Sequence, residues 1–109
     1  MSDDVTINEL QQLEQAILSS SNQITSLRSK IIEIDSALED LSSSQKSYKI
    51  VGNIMISASN ENIESDLISK KEAAKSRISS LEKQECRLKE MFKEKQEVFL
   101  KNRQKYDKN

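Results

Sequence analysis

The residue types that most often carry out chemistry in proteins are scarce in this sequence. It has no histidine, one cysteine (Cys86) and one glycine (Gly52) among 109 residues. Histidine is the usual acid–base group near neutral pH, and a zinc site would have only Cys86 and carboxylates to draw on. A glycine-rich phosphate loop is not possible with a single glycine. We therefore predict a protein that is not an enzyme and that holds no metal and no cofactor.

Cys86 is the remaining candidate for a reactive group. A reactive cysteine needs basic neighbours, and Lys83, Arg87 and Lys89 are close in sequence. Such charges recur throughout this half of the chain, however, so we interpret Cys86 as an outward-facing surface thiol. A single cysteine cannot form an internal disulfide, which favours a reducing compartment.

The composition indicates long helices rather than an ordinary globular domain. Charged residues make up 32% of the sequence and aromatic residues 4%, and there is no proline. A globular domain of this length would need more large apolar side chains and more turn residues. The net charge of −1, with both signs intermixed, argues against nucleic acid as a partner. The longest apolar run, 54–56, is too short to span a membrane, and the acidic Asp3 and Asp4 do not resemble a signal peptide.

The first half of the chain has a strong heptad repeat. Nine of its ten a and d positions are apolar and Ser20 is the exception: Leu10, Leu13, Ile17, Ser20, Ile24, Leu27, Ile31, Ile34, Leu38 and Leu41. Such a repeat predicts one strand of a coiled coil, over residues of about 6–43. Thr6 and Glu9 have the spacing of a capping box, and a serine cluster at 42–44 is expected to end the helix.

The second half has a weaker repeat, with a helix expected over about 60–107. Seven of its twelve positions are apolar: Leu67, Lys71, Ala74, Ile78, Leu81, Glu85, Leu88, Phe92, Lys95, Phe99, Asn102 and Tyr106. The charged positions Lys71, Glu85 and Lys95 either specify the register of the coiled coil or mark where it loosens. Glu85 with Lys89 and Glu97 with Lys101 form i,i+4 pairs in the favourable orientation.

Two arrangements of these helices satisfy the repeats. The helices either fold back on each other as an antiparallel hairpin or form parallel coiled coils in a homodimer. The segment that connects them favours the antiparallel hairpin, because residues 48–58 themselves have the pattern of a β-hairpin. Aromatic and β-branched residues cluster there, and Gly52–Asn53 is a two-residue turn signal between two apolar runs.

The predicted β-hairpin is apolar on both faces. A turn at Gly52–Asn53 places Val51 opposite Ile54 on one face, and Ile50 opposite Met55 on the other. Isolated two-stranded hairpins are marginally stable, and this one would leave two exposed edges. We expect strands of other subunits to pair with it and close a larger sheet or barrel; the alternative is that the hairpin packs onto its own helices. The predicted fold is thus mainly α, an antiparallel two-helix coiled coil whose central β-hairpin joins a multi-subunit β-barrel.

At this point the sequence resembles the β-class subunits of prefoldin, an ATP-independent co-chaperone. The hairpin of that family has the pattern Tyr-Lys-x-Val-Gly-x followed by three hydrophobic residues. The matching positions are Tyr48, Lys49, Val51, Gly52, Ile54, Met55 and Ile56. The helix–hairpin–helix order and the charged second helix agree, whereas the serine-rich connector lacks the proline or glycine often found before the hairpin. A single hairpin points to the β class, since α-class subunits carry two.

The resemblance implies a single prefoldin-like domain over residues 1–109 and a cytoplasmic hexamer of two α-class and four β-class subunits. The hairpins would form β-barrels, and the distal tips of the coiled coils would hold unfolded client proteins for a cytosolic group II chaperonin. In eukaryotes such clients include actin and tubulin. Neither nucleotide nor metal takes part.

The residues assigned to these roles follow from the resemblance and from the exposed apolar positions. Subunit assembly is assigned to Tyr48, Ile50, Val51, Gly52, Ile54, Met55 and Ile56. Candidates for the client-binding tip are Val5, Ile7, Val98, Phe99, Leu100 and Tyr106. A tip that binds many clients needs exposed apolar groups, but not a patch large enough to cause self-aggregation. Phe99 is expected to pack in the coiled coil, while Val98 and Leu100 either contact clients or have no role.

A second function remains open from the sequence. The chain could be a structural coiled-coil adaptor that forms a homodimer and tethers unrelated partners. The basic residues Lys101, Arg103, Lys105 and Lys108 are interpreted as a solvated, frayed end; the alternative is contact with acidic clients or a chaperonin. Neither nucleic acid nor a membrane is expected among the partners.

Overall fold

The computed structural model describes the backbone of residues 3–42, 47–51, 54–58 and 60–107, and the side chains of residues 5–42 and 60–103. The order of elements is α1 (Asp3–Ser42), β1 (Ser47–Val51), β2 (Ile54–Ala58) and α2 (Asn60–Asp107). Two long helices therefore account for most of the chain, as the heptad repeats predict.

Helix α1 begins earlier than the sequence suggests. Its first residue is Asp3, so Thr6 lies within the helix and not at its N-cap. The helix ends at Ser42, whose hydroxyl donates a hydrogen bond of 2.7 Å to the carbonyl of Glu39. That bond satisfies one of the last carbonyls of the helix, which supports the predicted role of serine at this end.

Helix α2 runs for 48 residues from Asn60, and Glu61 is the acidic residue of its first turn. The predicted i,i+4 pair of Glu85 and Lys89 is confirmed, with 2.8 Å between the carboxylate and the ammonium group. The hydrogen bond to Glu85 and the negative charge of its carboxylate raise the pKa of Lys89. Lys89 is fully exposed, so this pair contributes to the local helix rather than to a core.

Strands β1 and β2 pair in antiparallel fashion between the two helices. Their register sets Val51 against Ile54 and Ile50 against Met55, and it continues outward to Ser47 against Ala58. This register is that of a two-residue connection. The connecting residues, Gly52 and Asn53, and the side chains of both strands lie outside the described residues.

The chain divides into two compact units, each containing a segment of both helices. The terminal unit comprises Met1–Ile24 with Ser79–Asn109, and the central unit comprises Thr25–Ile78. In the terminal unit the buried side chains are Leu13, Ser20, Ile24 and Leu81; in the central unit they are Ile34 and Ala74. All six occupy a or d positions of the repeats, so the core of each unit is the seam between its two helical segments.

The heptad assignment is confirmed for α1 and for α2 as far as Phe99. All ten a and d positions of α1, and the positions of α2 from Leu67 to Phe99, are buried or half-buried. The assignment is wrong at Asn102, which is exposed. In the terminal unit Lys95 pairs with Glu9, so seven residues further along α2 the opposite residue would be near position 2, before α1 begins. Tyr106 lies in α2, but its side chain is outside the described residues.

The two leucines Leu81 and Leu100 of α2 should differ strongly in their contribution to the free energy of unfolding, because only Leu81 lies in the seam. Leu81 is 2% exposed and Leu100 is 52% exposed. Leu81→Ala should lower the free energy of unfolding by about 2–5 kcal/mol, because it removes a buried side chain and leaves a cavity. Leu100→Ala should cost less than about 1 kcal/mol. Urea titration followed by circular dichroism measures both; equal losses would contradict the assignment of Leu81 to the core.

Candidate functional site

Exposed apolar side chains concentrate in the terminal unit. Eight large apolar residues are exposed among the described side chains: Val5, Ile7, Leu18, Ile32, Ile68, Met91, Val98 and Leu100. Six of the eight belong to the terminal unit, and only Ile32 and Ile68 belong to the central one. Four of the predicted tip residues, Val5, Ile7, Val98 and Leu100, are among the six. The terminal unit is therefore the part of the described chain best suited to contact apolar groups of another molecule.

The run Val98–Phe99–Leu100 divides between packing and exposure. Phe99 is half-buried, in agreement with its predicted packing role, whereas Val98 and Leu100 are 54% and 52% exposed. Two residues along an α-helix correspond to a rotation of ~200°, so Val98 and Leu100 lie on nearly opposite sides of α2. They cannot form one continuous patch.

Arg103 covers part of the ring that the seam leaves accessible. Its guanidinium carbon is 5.8 Å from the centroid of the Phe99 ring, within the range of a cation–π contact. The two residues are one helical turn apart on α2. The contact lies on the last turn of α2 whose side chains the structure describes.

Val98 forms part of a small groove in the terminal unit. The groove has a volume of about 270 Å³ and is lined by Thr6 and Glu9 of α1 and by Met91, Glu94, Lys95 and Val98 of α2. Met91 and Val98 are seven residues apart and thus share one face of α2. Ile7 and Leu100 are not part of this groove.

Met91 is a member of this surface that sequence reasoning did not select. It is 46% exposed and supplies an unbranched, polarisable side chain that adapts to irregular apolar partners. The available signal was its spacing of one heptad from Val98, combined with its position beside the seam residue Phe92. Met91 lies near Thr6 and Glu9 because of how the two helices pair. The heptad repeat of one helix does not determine which residues of the other helix lie opposite.

The lysines in the seam pair with acidic residues of the opposite helix. In the terminal unit the ammonium group of Lys95 donates a hydrogen bond to the carboxylate of Glu9. In the central unit Lys71 lies 2.6 Å from the carboxylate of Asp35. Glu9, proposed as part of a capping box, instead serves this interhelical pair. Each pair fixes one residue of α1 against one of α2, which favours the register-specifying interpretation of Lys71 and Lys95 over local loosening.

The described side chains include one thiol and no cluster of potential metal ligands. Cys86 is exposed, as expected of a surface thiol. Within residues 5–42 and 60–103 no group of three or more Cys, Asp or Glu side chains is arranged to hold a metal ion. Neither helix, over its described length, has a stretch that is long and apolar enough to cross a membrane.

Comparisons with known proteins agree with the resemblance read from the hairpin. The profile of the prefoldin subunit family matches residues 5–106. Prefoldin subunit beta of Archaeoglobus fulgidus is 33% identical over 94 residues, which cover 84% of this chain and 81% of the relative. The crystal structure of the prefoldin beta subunit from Thermococcus strain KS-1 superposes with a TM-score of 0.80 at 22% identity, covering 92% of this chain and 90% of that one. At that identity the structural match establishes the fold alone.

The match over residues 5–106 and the identity to the archaeal relative together define the class: the chain belongs to the prefoldin subunit family. Its resemblance to the β class is confirmed by the relative from Archaeoglobus fulgidus, a prefoldin subunit beta. The protein is accordingly a subunit of a prefoldin-type co-chaperone.

The lysines in the seam should specify how the two helices align and should not increase the free energy of unfolding. The side chain of Lys71 is 26% exposed at an a position, where leucine would bury more apolar surface. Lys71→Leu should raise the free energy of unfolding by about 1 kcal/mol, since a partly exposed ion pair contributes less than burial of the leucine side chain. Lys75→Leu is the matched control, because Lys75 lies off the seam and is 54% exposed. Urea titration measures both, and a destabilised Lys71→Leu variant beside an unchanged control would show that the pair stabilises the coiled coil.

Proposed function

We propose that this chain is a β-class subunit of a cytoplasmic hexamer that holds non-native proteins and delivers them to a group II chaperonin. The hexamer contains two α-class and four β-class subunits. It acts by binding alone, without catalysis, nucleotide, metal or cofactor. Its clients are unfolded proteins, with actin and tubulin among them in a eukaryotic cell. Membership of the prefoldin subunit family carries this proposal, together with the strand pair between two long helices.

Assembly depends on the hairpin. Within the described chain β1 pairs only with β2, so each strand has one edge without a partner in the same chain. An unpaired strand edge is a template for another strand. In the register of the hairpin, successive pairs such as Val51–Ile54 and Ile50–Met55 belong to opposite faces. Both faces therefore offer apolar positions, which suits a strand pair that is enclosed in a β-barrel.

Client holding is assigned to the exposed apolar residues of the terminal unit. Val98 and Met91 form one surface with the end of α1, and Ile7, Leu100 and Val5 add further exposed groups. These groups are divided among different sides of the helices, which keeps each patch small. Small separate patches bind segments of an unfolded chain weakly and in many arrangements, and they limit aggregation of the co-chaperone itself.

Mixing with an α-class subunit tests the proposed assembly. The chain alone should be a monomer or a loose oligomer, and a mixture of two α-class chains for every four copies of this chain should give a particle of hexamer mass by light scattering. The double variant Val51→Lys with Ile54→Lys should abolish the particle, because it places charges at apolar positions of the barrel. Ser36→Lys with Ser76→Lys, at exposed helix positions, should assemble normally. A stable particle formed by the hairpin variant would contradict the role of the hairpin.

Suppression of client aggregation tests the proposed tip. Truncation of residues 98–109 should leave assembly intact and weaken suppression. A sharper test is Met91→Ser with Val98→Ser in the assembled complex, which should raise the concentration needed for half-maximal suppression by about fivefold or more through lost apolar contact. Ile32→Ser is the control, because Ile32 is 69% exposed but belongs to the central unit. Suppression unchanged in the double variant, or lost equally in the control, would refute the assignment to Met91 and Val98.

A further inference from the structure

The central unit has its own groove, which shares no lining residue with the groove at Met91 and Val98. It has a volume of about 610 Å³ and runs along both helical segments of that unit. Its apolar lining consists of Leu27, Ile34, Ala37, Leu67, Ala73 and Ala74. Ala73 is exposed, and Leu27 and Leu67 are half-buried. Contact between the two helical segments therefore leaves Leu27, Leu67 and Ala73 partly accessible on the side of the groove.

The two sides of the central unit differ. On α1, Glu33 and Ala37 line the groove, and Asp35 is two residues from each of them. Two residues correspond to a rotation of ~200° about the helix axis, so Asp35 lies on the side of α1 away from the groove. Its ion pair with Lys71 therefore crosses the seam on the other side. One side of the central unit is bridged by a charged contact, whereas the groove side presents apolar surface.

Charge around the groove is mainly positive. Lys30, Lys70 and Arg77 line it, and Glu33 is the single acidic lining residue, which leaves a net charge of +2 (3 − 1). All three basic residues are exposed. The chain as a whole is slightly acidic, with a net charge of −1, so this surface is locally opposite in sign. A partner with acidic residues beside its apolar ones would be complementary.

The groove has the length of a few helical turns. Its lining extends from Leu27 to Ala37 on α1, about 15 Å along the helix axis. A helix inserts apolar residues into such a groove at i, i+3 or i+4, and i+7, which span a similar length. The alanines on the α2 side allow the backbone of such a helix to approach closely.

We propose that the groove at Leu27–Ala37 and Leu67–Arg77 docks an amphipathic helix of another protein, with acidic residues flanking its apolar stripe. The site belongs to the central unit and does not depend on client binding at Met91 and Val98. It gives the subunit a third interaction surface, beside the hairpin and the client-binding residues, and this surface distinguishes its ligands by charge.

Two helical peptides of matched apolar stripe test the charge preference. One carries glutamate and the other lysine at the flanking positions, and both are labelled for fluorescence anisotropy with the full-length chain. The glutamate peptide should bind at least about fivefold more tightly, the effect expected of a few solvent-screened ion pairs. Equal binding of the two peptides, or tighter binding of the lysine peptide, would overturn the proposal.

Variants of the chain locate the binding. Lys70→Glu with Arg77→Glu should reverse the preference, whereas Lys75→Glu, outside the groove lining, should leave it unchanged. Ala73→Trp should fill the groove and lower the affinity for the glutamate peptide at least about fivefold. Ser76→Trp should leave that affinity unchanged, because Ser76 is also exposed but lies outside the groove lining. Circular dichroism confirms that each variant is folded, and a folded Ala73→Trp chain with unchanged affinity would overturn the site.

The competing occupant is a second copy of this chain. Sedimentation of the free chain over a range of concentrations distinguishes it. A monomer in wild type and in Ala73→Trp supports an external partner. Self-association of wild type that Ala73→Trp abolishes would show that a second copy fills the groove, and would overturn the proposal. Neither result bears on aggregation suppression by the tip, which is measured with the Met91 and Val98 variants.

Discussion

A seam between two helices is the constraint on which the rest of this structure depends. Two helices bury only the side chains at their mutual contact, and no further layer within the described chain covers the remaining faces. Leu81 is the one described large side chain that is essentially fully buried. Most of the described apolar residues off the seam are therefore exposed, as Val98 and Met91 are. In a globular domain such residues would be hidden; here the architecture presents them to other molecules.

Two lysines in the seam pair with carboxylates of the opposite helix, which favours a role in its alignment. Lys71 and Lys95 occupy positions where apolar residues would bury more surface, yet each reaches a carboxylate of the opposite helix. A seam of apolar residues alone can shift by a heptad with little penalty, whereas a shift would separate these charges. Alignment of α1 and α2 brings Thr6 and Glu9 beside Met91 and Val98, so the groove of the terminal unit depends on it.

Sequence periodicity predicted the core of the molecule well, because a and d positions depend only on local spacing. Periodicity did not predict the environment of residues whose burial or contacts depend on the partner helix. Asn102 continues the spacing of α2 but lies beyond the start of α1. Met91 is one heptad from Val98, but its place in a groove follows from the pairing of Glu9 with Lys95. The lysines were recognised as exceptions, but only their interhelical partners identified their role. For the hairpin, Gly52–Asn53 defined the strand register from the sequence, since a two-residue turn determines which residues face each other.

The proposed function rests on the pairing of β1 and β2 with strands of other subunits. Hydrogen exchange of the backbone amides in β1 and β2 measures this directly, with the chain alone and after assembly with an α-class subunit. We expect amides that point away from the β1–β2 ladder to exchange rapidly in the free chain and to become protected on assembly. At the same time, amides of α2 near Met91 and Val98 should retain their rates. Unchanged exchange at the outer edges of both strands, in a complex that has otherwise formed, would contradict assembly through the hairpin.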